Sequence, residues 1–391
     1  MRFSSLVGRL DAPGGAAWHI HHEARLAQAR GEDVILLSVG DPDFDTPAPI
    51  VERAVEALRA GDTHYTYIPG RPALREAVAG VQRRRTGAPT GPANVMTVAG
   101  AQNGLFAVML SLLDPGDEVL VMEPIYATYE ATVAAAGAAV VRVSASPEDG
   151  FRPAVGALAA MVTPRTRAIL MANPNNPSGV VMTKGELEAV AAVARRHDLW
   201  VVADEVYESL VFEGEHRSIR ALPGMAERTA TIGSLSKSHA MTGWRTGWVV
   251  GPEDLIRHLD RLGLNMLYGQ PGFIQEAELV ALGDYDATTA VMREAYRARV
   301  DAVAEGLAGV PGIVLLRPAS GMFALIDVRG TGLGSTDFAW GLFRATGVSL
   351  VDAAAFGPAT SGFVRLAMAA PADRLAEGCR RIAGYARSLA G

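Results

Sequence analysis

Thr229-Ala230-Thr231-Ile232-Gly233-Ser234-Leu235-Ser236-Lys237 is the stretch of this 391-residue chain from which the fold prediction starts. Its first five residues form a short apolar run typical of a buried β-strand. Its last residue is one of only two lysines among 36 Lys and Arg residues. A lysine amine can lose its proton and form a Schiff base with a carbonyl, which an arginine cannot. Lys237 is therefore the first catalytic candidate. Lys184, the other lysine, is interpreted as a solvated residue at a helix start.

Similar apolar runs recur between helical patterns along the chain, and this alternation predicts a mostly parallel α/β sheet. Strands that are covered by helices on both faces are apolar at successive positions, as these runs are. A helix over 185–197 is one of those that fill the gaps. The predicted strands are 95–98, 118–122, 139–143, 168–171, 200–203, 229–232 and 248–250.

The pattern changes after about residue 290, and the change predicts a second, smaller α/β domain. We assign residues 46–289 to a large domain, and residues 1–45 together with 290–391 to the small one. The sequence contains no repeat and no Ser/Gly-rich linker, so the two domains are expected to pack against each other. The elements predicted for the small domain are a helix over 290–307, strands at 313–316, 323–328 and 362–368, and helices at 337–345 and from 372 onward.

Bulk properties exclude several classes of function. A net charge of −6 argues against a nucleic-acid partner, which usually needs a basic face. The run Arg83-Arg84-Arg85 is interpreted as a solvated patch at a helix end. The sequence has no apolar stretch long enough for a membrane span, and the single Cys379 fits a reducing compartment, so we expect a cytoplasmic protein. The eight histidines have no metal-ligand spacing, so no metal site is predicted.

Polar residues follow several of the predicted strands, where α/β proteins bind ligands. Ala101 and Gln102 follow Gly100 at a helix start, where backbone N–H groups suit a phosphate. Asp204 ends an apolar run, where a carboxylate is costly unless it is paired. Arg245 can bind a phosphate through two parallel hydrogen bonds. Taken singly, Asp204 could also be an ordinary strand-end residue, and Arg245 an interdomain salt-bridge residue.

Taken together, these motifs resemble the class I and II aminotransferases, pyridoxal-phosphate enzymes of the aspartate aminotransferase fold. The resemblance covers essentially the whole chain and implies the α/β fold type I of pyridoxal-phosphate-dependent transferases. The motifs that carry it are Gly40-Asp41-Pro42-Asp43-Phe44-Asp45-Thr46-Pro47, Tyr65 followed by Gly70 and Leu74-Arg75-Glu76, Gly100-Ala101-Gln102, Asn173-Pro174-Asn175-Asn176-Pro177-Ser178-Gly179, Asp204-Glu205-Val206-Tyr207, Ser234-Leu235-Ser236-Lys237, Gly243-Trp244-Arg245 and Val364-Arg365-Leu366.

The resemblance implies a role for each matching residue that would contact the cofactor. Lys237 resembles the lysine that bonds the cofactor aldehyde and carries protons. Asp204 resembles the partner of the pyridine nitrogen. Tyr207 and Asn176 resemble the pair that bonds the 3-oxygen of the ring, and Tyr126 resembles the aromatic residue that stacks on it. The residues that resemble the phosphate-binding group are Ala101, Gln102, Ser234 and Arg245.

Three further matches concern the substrate and the partner subunit. Arg365 resembles the residue that binds the substrate α-carboxylate, helped by Asn176 and the backbone at Gly40. Tyr65 resembles the residue that reaches the phosphate of the neighbouring subunit. The resemblance therefore implies a homodimer with shared active sites, and substrates that are amino acids and 2-oxo acids.

A closer resemblance, to bacterial arginine–pyruvate transaminases, rests on 16–21, 37–51, 234–245 and 266–269. It implies a ping-pong transfer of the amino group from L-arginine to pyruvate. A guanidinium pocket needs an acidic or carbonyl-rich rim, for which Asp11, Glu23 and Asp43 are candidates, although each also fits a surface or capping role.

Other functions are compatible with the same motifs. The donor could be an aspartate, aromatic or alanine-type amino acid. The scaffold could also carry a β-lyase, a cyclising synthase, or an oxygen-using arginine oxidase or hydroxylase. A cofactor-sensing domain of a transcription factor is disfavoured, because such proteins carry a DNA-binding domain ahead of motifs that begin here by about residue 40.

Overall fold

The computed structural model describes residues 1–11 and 13–390, and three β-sheets are found in these residues. The strands are β1 Ile35–Leu36, β2 Val95–Thr97, β3 Glu118–Met122, β4 Ala139–Val143, β5 Thr166–Ala172, β6 Trp200–Asp204, β7 Thr229–Gly233, β8 Trp248–Val250, β9 Val314–Leu316, β10 Phe323–Asp327, β11 Val348–Ser349, β12 Val351–Asp352 and β13 Phe363–Ala367. The α-helices are α1 Ser5–Arg9, α2 His19–Ala29, α3 Ala48–Arg59, α4 Pro72–Thr86, α5 Ala101–Leu112, α6 Tyr129–Ala135, α7 Leu158–Met161, α8 Lys184–Arg196, α9 Glu253–Met266, α10 Gly272–Gly283, α11 Tyr285–Leu307, α12 Ser335–Thr346 and α13 Ala372–Ala390.

The largest sheet has seven strands in the order β2-β8-β7-β6-β5-β3-β4. The five strands β7, β6, β5, β3 and β4 run parallel to one another. Strand β8 is antiparallel to both of its neighbours, β2 and β7. The predicted mostly parallel sheet is therefore confirmed, with one reversed strand near its edge. Parallel strands of this kind place the loops after their carboxyl ends along one edge of the sheet.

Helices cover both faces of this sheet, which explains why the central positions of most strands are apolar in succession. In β6, Val202 packs into a core that includes Leu105 of α5 and Leu259 of α9. The neighbouring Val201 points to the opposite face, where it packs into a core that includes Leu187 of α8. Successive side chains of a strand thus enter different cores, and both cores are apolar.

The C-terminal part forms a four-stranded antiparallel sheet in the order β12-β13-β10-β9. Its core contains Tyr296 and Val300 of α11, Ile382 of α13 and Val364 of β13. The N-terminal segment joins this part, because β1 pairs in parallel with β11. The boundary predicted between residues 289 and 290 falls inside α11, and the predicted domain limits remain a prediction.

Local sequence fixes the start of α8. The Thr183 hydroxyl accepts a hydrogen bond from the backbone N–H of Glu186, and the Glu186 carboxylate accepts one from the backbone N–H of Thr183. This reciprocal capping satisfies two N–H groups that a helix start leaves unpaired. Lys184 follows as the first helical residue, with its side chain 64% exposed. The prediction that Lys184 is a solvated helix-start residue is confirmed.

The prediction of a solvated patch at 83–85 is wrong for Arg85. Its side chain is only 25% exposed, and its Nε lies 3.3 Å from the carboxylate of Glu208. The reason is that α4 ends against the loop after β6, so one of the three arginines turns inward. Within the described residues, no helix is long and apolar enough to cross a membrane.

We predict that Thr183→Ala lowers the free energy of unfolding by about 1 kcal/mol, because it removes the N-cap of α8. Chemical denaturation of both proteins measures the difference. Lys184→Ala is the control, since it removes only an exposed ion pair with Glu188, worth a few tenths of a kcal/mol. Equal losses in the two variants would contradict a role for the cap.

Candidate active site

The predicted site residues meet at the carboxyl edge of the large sheet. Asp204 ends β6, Lys237 lies four residues beyond the end of β7, and Asn176 lies in the loop after β5. Together they enclose a cavity of about 180 Å³. Its lining residues are Ala101, Gln102, Leu105, Tyr126, Asn176, Asp204, Val206, Tyr207, Ser234, Ser236, Lys237, Thr242 and Arg245.

Larger grooves lie elsewhere on the surface, including one of about 450 Å³ around Ser146 and Pro153. One of about 600 Å³ is lined by residues such as Arg152 and Arg317, and one of about 480 Å³ by residues around Tyr65. The smaller cavity is the candidate site because it gathers a lysine, a buried carboxylate and an arginine, whereas volume alone identifies no chemistry.

Lys237 reaches across from the large sheet to the N-terminal segment. Its Nζ donates a hydrogen bond to the backbone oxygen of Gly40 at 2.6 Å. Burial lowers the pKa of this amine to about 8, and the carboxylate of Asp41 opposes the shift. An amine with a pKa near working pH can be deprotonated at low cost, as a nucleophile or a proton carrier must be.

Asp204 is a buried carboxyl group held by two hydrogen bonds. The Tyr129 hydroxyl donates to Oδ2 at 2.7 Å, and the backbone N–H of Val206 donates to Oδ1 at 3.3 Å. Burial raises the pKa of Asp204 to about 6, and the bond from Tyr129 lowers it. Among the described residues Asp204 forms no ion pair within 4.0 Å, so a buried anion here needs a cationic ligand.

The start of α5 and Arg245 form an anion-binding corner. The Arg245 guanidinium donates to the backbone oxygens of Thr242 at 2.8 Å and Ala99 at 3.3 Å. A side chain at Gly100, which has a φ of +86°, would come within 2.2 Å of that guanidinium. Only glycine therefore lets Arg245 approach the helix N-terminus. Unpaired N–H groups and a guanidinium at one place suit a phosphate.

Ser234 closes the same corner from the end of β7. Its hydroxyl donates to the backbone oxygen of Thr246 at 2.6 Å and lies 2.8 Å from the Ser236 hydroxyl. Gln102 contributes differently: its side-chain amide is bonded to Thr128 and Thr132 at 2.7 and 2.9 Å. The backbone of Gln102, rather than its side chain, is thus free to face a phosphate.

Three further residues line the same cavity as Asp204. Tyr207 and Asn176 are buried, with 6% of each residue exposed, and Tyr126 lies at the wall. Tyr126 meets Tyr129 edge to face, with ring centroids 5.7 Å apart. The structure therefore brings the three predicted ring-binding residues together with Asp204 and Lys237.

Arg365 enters from β13 of the small antiparallel sheet and is 1% exposed. Its guanidinium donates to Asn176 Oδ1 at 3.2 Å and to the Ser38 backbone oxygen at 3.0 Å. It also lies 4.2 Å from the ring centroid of Phe323 and 4.7 Å from that of Phe356. The cation is thus fixed between two rings, and burial lowers its pKa to about 10.

Tyr65 does not join the cavity of its own chain. Its side chain is on the surface, with the residue 85% exposed, and its ring lies 4.7 Å from that of Tyr268. Every other predicted site residue lines the cavity or, like Gly40 and Arg365, contacts a residue that lines it.

Sequence reasoning missed several residues that hold the site in place. Tyr129 binds Asp204, Ser236 lines the cavity, and Phe323 and Phe356 enclose Arg365. Tyr129 gave no helical signal, because Tyr126 lies before α6 and the two are joined by a turn in which the backbone N–H of Tyr129 donates to the backbone oxygen of Tyr126 at 2.9 Å. The two phenylalanines also gave no signal, because their contacts with Arg365 depend on tertiary packing.

Comparison with known proteins identifies the family. The profile of "Aminotransferase class I and II" matches residues 32–382. The chain belongs to the class I and II aminotransferases. It is therefore a pyridoxal-phosphate-dependent transaminase, whose substrates are amino acids and oxo acids, as the resemblance implied.

Relatives of known name are similar over the full chain. The arginine–pyruvate transaminase AruH of Pseudomonas aeruginosa is 51% identical over 100% of both chains. The aspartate/prephenate aminotransferase of Thermus thermophilus is 37% identical, over 93% of this chain and 94% of that one. The crystal structure of Thermus thermophilus aspartate aminotransferase with maleate matches with a TM-score of 0.93 and 36% identity, over 98% of this chain and 100% of that one. The predicted fold class is confirmed.

The residues around the cavity fit pyridoxal phosphate. The corner formed by α5, Ser234 and Arg245 can bind the phosphate, and Asp204 is the buried anion that a protonated pyridine nitrogen would neutralise. Lys237 would supply an amine of lowered pKa for the aldehyde. When bound, this cofactor supplies the electron sink that stabilises negative charge on the substrate α-carbon.

We predict that Tyr129→Phe shifts the acidic limb of the pH–kcat/KM profile to higher pH. The Tyr129 hydroxyl lowers the pKa of Asp204, so its loss leaves Asp204 protonated at a higher pH. A hydrogen bond to a charged group contributes about 1.5–3 kcal/mol, which corresponds to about one to two pH units. Tyr385→Phe, the same change on α13, serves as the control and should leave the profile unchanged. An unshifted profile for Tyr129→Phe would contradict the role of the Tyr129 hydroxyl in lowering the pKa of Asp204.

Proposed function

We propose that this enzyme transfers the amino group of L-arginine to pyruvate in a ping-pong cycle. The observation that carries the proposal is the 51% identity to an arginine–pyruvate transaminase over the full length of both chains. The aspartate/prephenate relative, at 37% identity, makes an aspartate-type donor the alternative outcome.

In this proposal Lys237 holds the cofactor covalently and, once released by an amino acid, moves the proton of the substrate α-carbon. The lowered pKa of its amine supports this role, because an ammonium could neither attack the aldehyde nor accept the proton. Asp204 keeps the pyridine nitrogen protonated. Its burial among hydrogen-bond donors supports that role, since the carboxylate has a fixed position but forms no ion pair with any described residue of the chain.

The remaining cavity residues orient the ring and the phosphate. Tyr207 and Asn176 bond the ring oxygen, and Tyr126 stacks on the ring. The phosphate is held by the backbone of Ala101 and Gln102 and by the side chains of Ser234 and Arg245. Their convergence on one cavity supports these assignments.

Arg365 binds the α-carboxylate of each amino acid and 2-oxo acid, with Asn176 and the backbone at Gly40 beside it. The aromatic rings on either side of the guanidinium support the role, because they fix its plane and leave its edge for a bidentate carboxylate. The same contact serves donor and acceptor, so it cannot select between them.

Selection of the donor depends on the side chain. Among the described residues that line the cavity, the cations are Lys237 and Arg245, and both have a role toward the cofactor. This favours a donor without a second carboxylate. Two carboxylates considered for a guanidinium pocket are engaged already: Asp43 binds Arg299 through both oxygens, and Glu23 pairs with Arg30.

Steady-state kinetics with pyruvate as acceptor test the proposed donor. We expect kcat/KM for L-arginine to exceed the values for L-aspartate and L-phenylalanine by at least about tenfold, which corresponds to about 1.4 kcal/mol. L-Alanine cannot serve as a donor control, because its product is pyruvate itself. A clear preference for aspartate would contradict the arginine assignment while leaving the transaminase assignment intact.

We also propose that the enzyme acts as a homodimer in which Tyr65 reaches the phosphate of the partner subunit. Tyr65, Tyr67 and Tyr268 are 85%, 68% and 50% exposed, which supports a protein contact at this surface. The adjacent groove of about 480 Å³ includes Tyr65 and Gln270. A cytoplasmic location remains a prediction from the sequence.

Subunit mixing tests the shared site. Tyr65→Ala and Lys237→Ala homodimers should both be impaired, but exchanged heterodimers should regain activity, because one of their two sites then has both groups intact. Native mass spectrometry confirms that exchange has occurred. Heterodimers without regained activity would indicate that each site is built from one chain.

A further inference from the structure

A cluster of buried polar groups lies directly behind Asp204, outside the cavity. It consists of Glu205, Glu208 and His216, whose carboxylate and imidazole atoms all lie within 4.8 Å of one another. Glu205 follows Asp204 in the chain and is only 1% exposed. The side chain of His216 is 8% exposed, and its Nε2 lies 3.9 Å from Glu205 Oε2. We call these three residues the Glu205 cluster.

Four buried polar atoms of this cluster have no hydrogen-bond partner among the described residues. They are both carboxylate oxygens of Glu205, Oε2 of Glu208 and Nε2 of His216. Burial lowers the pKa of His216, so its uncharged imidazole supplies no cation to the carboxylates. Three of these atoms are carboxylate oxygens, and buried carboxylate oxygens without a donor are costly, so the cluster needs a proton donor.

The neighbouring guanidinium groups form no ion pair with Glu205 among the described residues, although the charge of Arg85 acts to lower its pKa. Arg85 compensates Glu208, with its Nε 3.3 Å from Oε1, and the Tyr285 hydroxyl donates to the same oxygen at 2.9 Å. The Arg220 guanidinium donates to the hydroxyl of Thr90 and the backbone oxygen of Pro89. Glu208 is thus a paired carboxylate, whereas Glu205 has no cationic partner among the described residues.

We propose that Glu205 is held as the neutral acid and that its proton is the donor the cluster lacks, so that Asp204 alone carries the negative charge at the end of β6. Burial and the nearby carboxylate of Glu208 both raise the pKa of Glu205 well above its ordinary value, and Asp204 acts in the same direction. The Ser218 hydroxyl, which lies near Glu205 without meeting hydrogen-bond geometry, and the charge of Arg85 oppose the shift.

This assignment makes Glu205 a positioning residue for the transaminase reaction. Two ionised carboxylates on adjacent residues would repel each other in a buried site and raise the pKa of Asp204. A neutral Glu205 removes that repulsion and lets Asp204 stay ionised toward the pyridine nitrogen. Glu205 contacts neither substrate nor cofactor in this account.

A divalent cation is the other ligand that two carboxylates and a histidine can bind. The guanidinium of Arg85 argues against it, since a fixed positive charge 3.3 Å from Glu208 would repel a metal ion bound to that carboxylate. A single proton compensates Glu205 without adding a charge of 2+ beside Arg85. Metal binding by the Glu205 cluster is therefore the alternative that the experiment must distinguish from protonation.

A matched pair of variants tests the proposal through the melting temperature of the holoenzyme at pH 6 and pH 8. A neutral Glu205 keeps its proton in the folded state but loses it in the unfolded state above its ordinary pKa of 4.5. Between pH 6 and pH 8, each pH unit therefore lowers the folding equilibrium constant of the wild type about tenfold. In Glu205→Gln this effect is absent, because the glutamine side chain does not titrate. The melting temperature of Glu205→Gln should thus rise relative to the wild type between pH 6 and pH 8. Glu208→Gln removes the partner of Arg85, so this variant should melt several degrees below the wild type at both pH values.

Infrared difference spectroscopy gives a direct readout. Burial also raises the pKa of Glu278 to about 8, so this carboxyl group contributes a protonated-carboxyl band at pH 7 in every variant. The absorption of one further protonated carboxyl group should be lost in Glu205→Gln and persist in Glu208→Gln. The pH midpoint of the cofactor absorbance should keep its wild-type value in Glu205→Gln. A lower melting temperature of Glu205→Gln with no dependence on pH, or one bound divalent metal per chain that Glu205→Gln abolishes, would overturn the proposal.

Discussion

The site depends on a carboxylate that is buried at the end of a central strand. Asp204 terminates β6 with 7% of the residue exposed, and a buried anion without a cation is unstable unless it becomes protonated. Tyr129 and the backbone of Val206 hold the carboxyl group in place without neutralising it. A ligand that carries a positive charge at this position completes the site, which is the property that a protonated pyridine ring supplies.

The second requirement is that two separate sheets contribute to one site. Lys237 and Asp204 follow strands of the large sheet, whereas Arg365 lies on β13 of the small antiparallel sheet. Contacts across the site join the two parts: Lys237 bonds the backbone of Gly40, and Arg365 bonds Asn176. A change in the relative position of the two parts would therefore alter the distance between the guanidinium of Arg365 and the amine of Lys237.

Periodicity and motif spacing predicted the strands of the large sheet within one to two residues, because buried parallel strands are apolar at successive positions. The lysine, the carboxylate and the arginines were predictable as residue types, and the resemblance to a family supplied their roles. Contacts between distant residues were not predictable. Arg85 turns inward to Glu208, and the side chain of Gln102 bonds two threonines, since tertiary packing decides both orientations.

Reduction of the holoenzyme with borohydride, followed by peptide mapping, tests the central claim that Lys237 bonds the cofactor. The chain has only two lysines, so the experiment has an internal alternative. Lys237 has a buried amine of lowered pKa at the cavity, whereas Lys184 starts α8 at the surface with its side chain 64% exposed. The account predicts that the reduced cofactor is found on the peptide containing residue 237. Label on the peptide containing Lys184, with residue 237 unmodified, would contradict it.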